Sequence, residues 1–253
     1  MTRCTFMYNN LWDKAVVITP NSQDPLFPAI NTQHRWLSKT WRTVVSSGTL
    51  TASCVIDLGS AQAVQAFILK GHNLSSSATI KIQGNASDVW TAPSVDVTLT
   101  LADLITYFWT AEQTYRYWRV IAVDSNPVTT YLEFNRIFLG PYFSPSVNLI
   151  DGYTKTYKDP SDIEFSDNGQ ISTNQKTKYR TIRMDFENIV ALDEAEFDEM
   201  FLAVGSSLNL FWTLDRDQAT TTTKYVRITG DPEITHVARD DIYNVSMSIE
   251  ELR

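Results

Sequence analysis

From about Ser53 to Gly140 apolar and polar positions alternate with a period of two, broken at short intervals by Gly, Asn and Ser. Cys54, Ile56 and Leu58 fall on one side and Val55 and Asp57 on the other, which predicts a strand that Gly59 ends in a turn. Val64, Ala66 and Ile68 alternate with Gln65, Phe67 and Leu69, so both sides of the next strand are largely apolar, as in the middle of a sandwich. Lys70-Gly-His-Asn73 predicts a turn, because Gly and Asn adopt positive φ at little cost. Further strands are expected around Ala78–Gln83 (Ile80 and Ile82 inward), 94–101, 116–123 and 131–139, the last returning beside the first. Before them, Trp12 to Pro20 reads as a strand, and Pro25, Pro28 and Asn31 keep the following stretch irregular.

The rhythm changes after Gly140-Pro-Tyr-Phe-Ser-Pro145, whose prolines break any ladder and mark a linker. Residues 161–176 are polar and strand-poor, and Tyr179–Phe186 alternates as a strand. Asp193 and Glu196 match a capping box, with Asp193 at the N-cap. Phe197, Met200, Phe201 and Val204 then line one face of a helix that Gly205 closes. Strands at 208–213, 224–229, 232–236 and 243–249 complete the chain, and Asp240-Asp241 reads as a solvated turn. The expected class is mainly β, with domains at 1–142 and 146–253 and one helix in the second.

Composition fits a globular protein with two β-rich cores: 43% apolar, 20% charged and 12% aromatic, with seven Trp and eleven Tyr. Up to Pro145 there are 10 Lys and Arg against 9 Asp and Glu; from Ser146 there are 11 against 20. The acidity thus belongs to the second segment, which argues against a grip on nucleic-acid phosphates. No apolar run reaches bilayer length and the N-terminus lacks a signal-type apolar core, so neither membrane insertion nor export by a cleaved signal is expected.

Chemistry is sparse. Cys4 and Cys54 lack CxxC spacing and read as buried thiols, and the three histidines are scattered. Asp13 and Asp24 are the only candidates for a calcium site, but no compact acidic loop supplies the six or more oxygens Ca²⁺ wants, so no metal or cofactor is expected. There is no nucleophile elbow, no glycine-rich phosphate loop and no carboxylate pair that the sequence singles out, so no catalytic residue is assigned.

Asp57-Leu-Gly59, Gly71-His-Asn-Leu74 and Arg119-Val-x-Ala, in that order, give the first half a resemblance to the galactose-binding-like, discoidin-type jelly roll. The resemblance implies a binding module whose loops gather at one end of the sandwich. Trp36, Trp41 and Arg42 lie in or beside such loops: a sugar's apolar face stacks on an indole while Arg satisfies hydroxyls. The alternative is that either tryptophan plugs the open end of the sandwich. His72 and Asn73 read as turn-formers. The second half, a polar hairpin, a strand, a helix and strands ending Tyr243-x-Val-x-Met-x-Ile249-Glu-Glu, resembles the tail-tube fold of bacteriophages. Together the two imply a distal tail or baseplate ring protein of a virion, assembled in the host cytoplasm. It would self-associate as a ring, expected to be a hexamer, through residues 161–176. Tube, hub and tape-measure proteins would be its neighbours, DNA a passing cargo, and a host-surface glycan its outward ligand. The alternatives are a soluble carbohydrate-binding module with an accessory β domain, or a tail-associated glycan depolymerase.

Overall fold

A computed structural model of the chain describes residues 4–149, 152–238 and 241–252. The chain is mainly β, as its alternation predicts, and divides into two compact units. One unit comprises Asn9–Tyr142 with Arg216–Thr223; the other comprises the N-terminus to Tyr8, Phe143–Asp215 and Lys224 onward.

Strand β1 (Thr5–Met7) comes first and belongs to the second unit. The jelly-roll unit then runs through β2 (Val17–Pro20), a 3-10 turn (Ala29–Gln33), β3 (Trp41–Arg42), β4 (Leu50–His72), β5 (Ala78–Asn85), β6 (Val95–Leu99), β7 (Leu104–Asp124) and β8 (Glu133–Gly140). All pairings are antiparallel. The long strands β4 and β7 bend and serve two layers. Their halves Leu50–Asp57 and Tyr117–Asp124 pair with each other and carry β2, β5 and β6. Their other halves, with β8 and β3, form the facing layer. Cys54, Ile56, Ile80, Ile82, Trp118 and Val120 from the first layer meet Phe67, Leu69, Ile105, Phe134, Ile137 and Leu139 from the second in one core. The result is an antiparallel sandwich of jelly-roll type.

Two expected strands, about Ser53–Gly59 and Val64–Leu69, are thus one. Gly59 has φ +77°, but the register shifts between Asp57 and Gln62 and pairing with β7 resumes. A bulge bends a strand without ending it when the neighbour bends with it. The expected two-sided burial at Ala66–Leu69 holds, since all four residues are fully buried.

The second unit continues with β9 (Tyr153–Lys158), β10 (Asp162–Phe165), β11 (Ile171–Asn174), β12 (Tyr179–Val190), helix α1 (Ala191–Val204) and β13 (Asn209–Thr213). A short helix α2 (Ala219–Thr222) falls in the segment grouped with the jelly roll, and β14 (Lys224–Ala238) and β15 (Ile242–Glu251) finish the chain. The six-stranded sheet has the order β1-β13-β14-β15-β12-β9, and β10 pairs only with β11 among the described strands. Ile182, Met184, Phe186, Val245, Met247 and Ile249 face Phe197, Met200 and Val204 of α1, the helix face the sequence predicts. Gly205 ends the helix at φ +51°, its N–H bonded to the Phe201 carbonyl.

Three expectations change. The helix starts at Ala191 with no side-chain cap, so Asp193 is not the N-cap. β12 runs straight into α1, and the Asp193 carboxylate instead accepts hydrogen bonds from the Ser146 N–H (2.7 Å) and hydroxyl. The strands expected at 224–229 and 232–236 are one strand with a register shift between Thr229 and Glu233, where Pro232 lacks a ladder donor. Residues 4–8 do not start the jelly roll: β1 pairs with β13, and Phe6 exchanges backbone hydrogen bonds with Phe143 at 2.8 Å. The jelly-roll sequence is therefore an insertion between β1 and the rest of its sheet. Of the expected turn at 240–241, Asp240 lies outside the described residues; Asp241 is exposed in a turn at φ +52°.

Candidate functional site

The ends of β4 and β7, the starts of β3, β5 and β8, and the loops at 21–40, 43–49, 73–77 and 125–132 lie at one end of the jelly-roll unit. Asn73 fastens them. Its Nδ2 donates to the Thr129 hydroxyl (2.8 Å) and the Tyr131 carbonyl (2.9 Å), while its Oδ1 accepts from the Glu133 N–H (2.7 Å). His72 is equally committed: Nδ1 accepts from the Leu74 N–H at 3.2 Å, so Nε2 carries the proton and donates to the Ala102 carbonyl at 2.8 Å. Both residues spend their polar atoms on the fold, but the turn expected at 70–73 does not form there: Lys70, Gly71 and His72 continue β4, with His72 opposite Phe134, and the strand ends only before Asn73. Buried Asp124 accepts from the Ser75 N–H (2.7 Å) and hydroxyl (2.6 Å), the Asn126 N–H and the Ser77 hydroxyl. Burial raises its pKa, but these hydrogen bonds outweigh burial and hold the carboxyl below its ordinary range.

Trp36 is on this loop system and 54% exposed. Its indole lies 5.1 Å from the His34 ring, its carbonyl accepts from the Lys39 N–H, and Asn135 Nδ2 anchors the next residue by the Leu37 carbonyl at 2.7 Å. Asn135 in turn sits against Gly71, where φ is +81° and a Cβ would come within 2.9 Å of its side chain. Gly71 of the Gly-His-Asn-Leu stretch thus makes room for the residue that holds the Trp36 loop.

The other two expected binding residues differ from Trp36. Trp41 is 1% exposed, stacked 5.0 Å from Phe134, with its Nε1 donating to the Ser22 carbonyl. It plugs the core and cannot stack on a ligand, because β3 pairs Trp41 opposite Phe134 on the inward side. Arg42, one residue on, points the other way and is half-buried. Its guanidinium lies 3.9 Å from the Phe27 ring centroid and 4.9 Å from that of Tyr131, and Nε donates to Glu133. The aromatic flank, Phe27 and Tyr131, is not legible in the sequence because the two residues are far apart along the chain. Neither carboxylate weighed for calcium is without a partner. Asp13 takes a bidentate ion pair from Arg136 (2.6 and 2.5 Å), and Asp24 accepts from the Leu26 N–H.

Elsewhere on the unit, Arg119 lies 4.7 Å from the Trp90 ring and donates twice to Gln83 Oε1. The Trp90 Nε1 donates to Asp88 at 2.6 Å. Asp57 of the Asp-Leu-Gly stretch accepts from the Gly59 N–H and takes a bidentate ion pair from Arg116 at 2.7 and 2.8 Å. These motif residues are therefore structural. No cluster of three or more His, Cys, Asp or Glu that could hold a metal occurs among the described residues, and none of their helices is long and apolar enough to cross a membrane.

No protein-family model and no curated protein matches the chain. Solved structures do. A chitosan-binding module from a Paenibacillus sp. IK-5 chitosanase/glucanase is 18% identical, with a TM-score of 0.41 over 53% of this chain and 99% of that one. The family 32 carbohydrate-binding module of C. perfringens NanJ, solved with galactose, is 14% identical, with a TM-score of 0.41 over 55% and 99%. A Ruminococcus gnavus family 29 fucosidase is 17% identical, with a TM-score of 0.43 over 55% of this chain and 27% of its own.

Proposed function

We propose that this chain is a non-catalytic binding protein whose jelly-roll unit holds a saccharide at the loop end that carries Trp36. The exposed indole carries the proposal. Trp12, Trp41, Trp109, Trp118 and Trp212 are all buried, whereas Trp36 faces solvent on a loop anchored through Leu37. A fixed, exposed tryptophan offers a sugar ring an apolar platform at little entropic cost. A glycan array followed by calorimetry on the best hit tests it. Trp36→Ala should weaken binding by at least about tenfold, the worth of one aromatic contact of about 1.5 kcal/mol, while folding is unchanged. No binding to any glycan, or binding indifferent to Trp36→Ala, rejects the proposal. Release of sugar from a bound glycan would favour a depolymerase instead.

A second reading, a structural protein of a phage tail that forms a hexameric ring among tube, hub and tape-measure proteins, rests on another feature. The β10–β11 hairpin leaves Ile163, Phe165 and Ile171 exposed on a unit rich in carboxylates, which suits assembly more than a solitary life in solution. Mass spectrometry of purified virions tests that reading, and absence from the particles rejects it.

A further inference from the structure

From Pro25 to Ile56 the chain carries no carboxylate, although it has 29 in all, and His34, Arg35, Lys39 and Arg42 fall in that stretch. His34 and Arg35 precede Trp36 and Lys39 follows it, and all three are exposed with it. Arg42 stands apart, because Glu133 and the rings of Phe27 and Tyr131 hold it. An exposed indole among cations, with no carboxylate in the same loop, is a surface for a negatively charged ligand.

The loop is fixed at both ends by consecutive residues of β8. Arg136 donates to the Gln33 carbonyl at 2.8 Å, and Asn135 to the Leu37 carbonyl at 2.7 Å. Asn31 Nδ2 closes the base on the Thr40 carbonyl at 2.8 Å. Between these anchors the Lys39 N–H bonds to the Trp36 carbonyl at 3.0 Å, a turn that brings the two backbones within about 7 Å of each other. The long Lys39 side chain thus starts beside the indole, whose other neighbour is the His34 ring. The carboxylates of the surrounding elements are engaged elsewhere. Asp13 pairs with Arg136 and Glu133 with Arg42, while Asp124 is held at the Ser75 turn and Asp24 accepts from the Leu26 N–H. Lys39 is in none of the ion pairs among the described residues.

We infer that the saccharide held at Trp36 is an acidic one. Its ring stacks on the indole, and its carboxylate or sulfate lies against Lys39 and Arg35. The inference rests on the saccharide reading and narrows it. Stacking accepts any sugar with an apolar face, so Trp36 supplies affinity without selecting charge. A hydrogen bond between an ionised group and Arg or Lys is roughly twice as strong as one between neutral groups. A neutral sugar in the same place desolvates the cations and returns only hydroxyl contacts. The loop therefore selects the acid.

An array carrying uronate, sialylated and sulfated glycans beside uncharged ones tests it. The strongest hits should be acidic, and the leading class separates carboxylate from sulfate. Calorimetry then compares the best acidic hit with its uncharged counterpart, the carboxyl methyl ester or the desulfated chain. Lys39→Gln and Arg35→Gln should each weaken the acidic glycan about two- to fivefold, the size of one exposed charge contact, and leave the counterpart unchanged. Both replace exposed side chains, so the circular dichroism spectrum should not change. Trp36→Ala should weaken both ligands. Raising salt from about 0.1 to about 1 M, which shortens the Debye length from about 10 to about 3 Å, should weaken the acid alone. Equal affinity for acid and counterpart, both lost in Trp36→Ala, overturns the inference and leaves the saccharide reading standing. So does an acid preference that survives Arg35→Gln combined with Lys39→Gln. An array with no hit, acidic or neutral, rejects that reading and the inference with it.

Discussion

Trp36 and Trp41 are five residues apart and chemically identical, yet they answer to different forces. Trp41→Ala should cost about 3–5 kcal/mol in a denaturant melt, because it empties a filled core position. Trp36→Ala should stay within about 0.5 kcal/mol, as exposed positions usually do. Equal losses would place Trp36 in the core and remove the saccharide proposal's platform. Asp57 has a pH signature. The ion pair from Arg116, with help from the Gly59 N–H and against some desolvation, lowers its pKa to about 2. A carboxyl lowered on folding stabilises fully above its unfolded pKa of about 3.9, and that contribution fades as pH falls through about 2. Asp57→Asn should therefore lower the melting temperature at pH 7, with the gap to wild type closing between about pH 4 and 2. A gap that persists unchanged to pH 2 would show that the carboxylate charge is not what matters.

The long strand β4 depends on glycine where the chain bends, at Gly59, and where a neighbour sits close, at Gly71. At Gly71 the positive φ and the Asn135 side chain at 2.9 Å both resist a Cβ. Gly71→Ala should cost about 1–3 kcal/mol and should also weaken saccharide binding, since Asn135 holds the loop behind Trp36. A variant that loses stability but binds normally would break that linkage. On α1, the apolar face at Phe197, Met200 and Val204 was legible from spacing, while the starting residue was not. A carboxylate near a helix start looks like a cap in sequence; only the fold reveals that Asp193 is bonded to Ser146.

Because the jelly roll is inserted after β1, the N-terminus and the C-terminal half share one core. Cys4 and Phe6 pack with Phe143, Phe186 and Phe197. Deleting residues 1–8 should therefore destabilise the C-terminal sheet and leave the jelly roll folded. Hydrogen exchange would read this as lost protection in β12–β15 with β4 and β7 still protected; the opposite pattern would contradict the insertion. Burial raises the Cys4 thiol to about 12, so it should react with thiol reagents only when its unit opens. In the full-length chain, point variants of β13 that loosen its pairing with β1 should therefore speed Cys4 labelling.

Local sequence carried much of this architecture. Period-two alternation marked the strands, a 3.6-residue period marked the helix face, and the prolines near residue 141 marked the passage between units, because each follows from side-chain direction within a single element. Pairing partners lay beyond reach, since contacts between distant segments leave no local trace. That β1 joins β13, that β4 bends without ending, that Asn73 ties its loop to the one before β8 and that Arg42 meets Phe27 and Tyr131 became visible only in three dimensions. So did the different fates of Trp36 and Trp41. Alternation tells which residues prefer burial; only closure of the fold decides which of them obtain it.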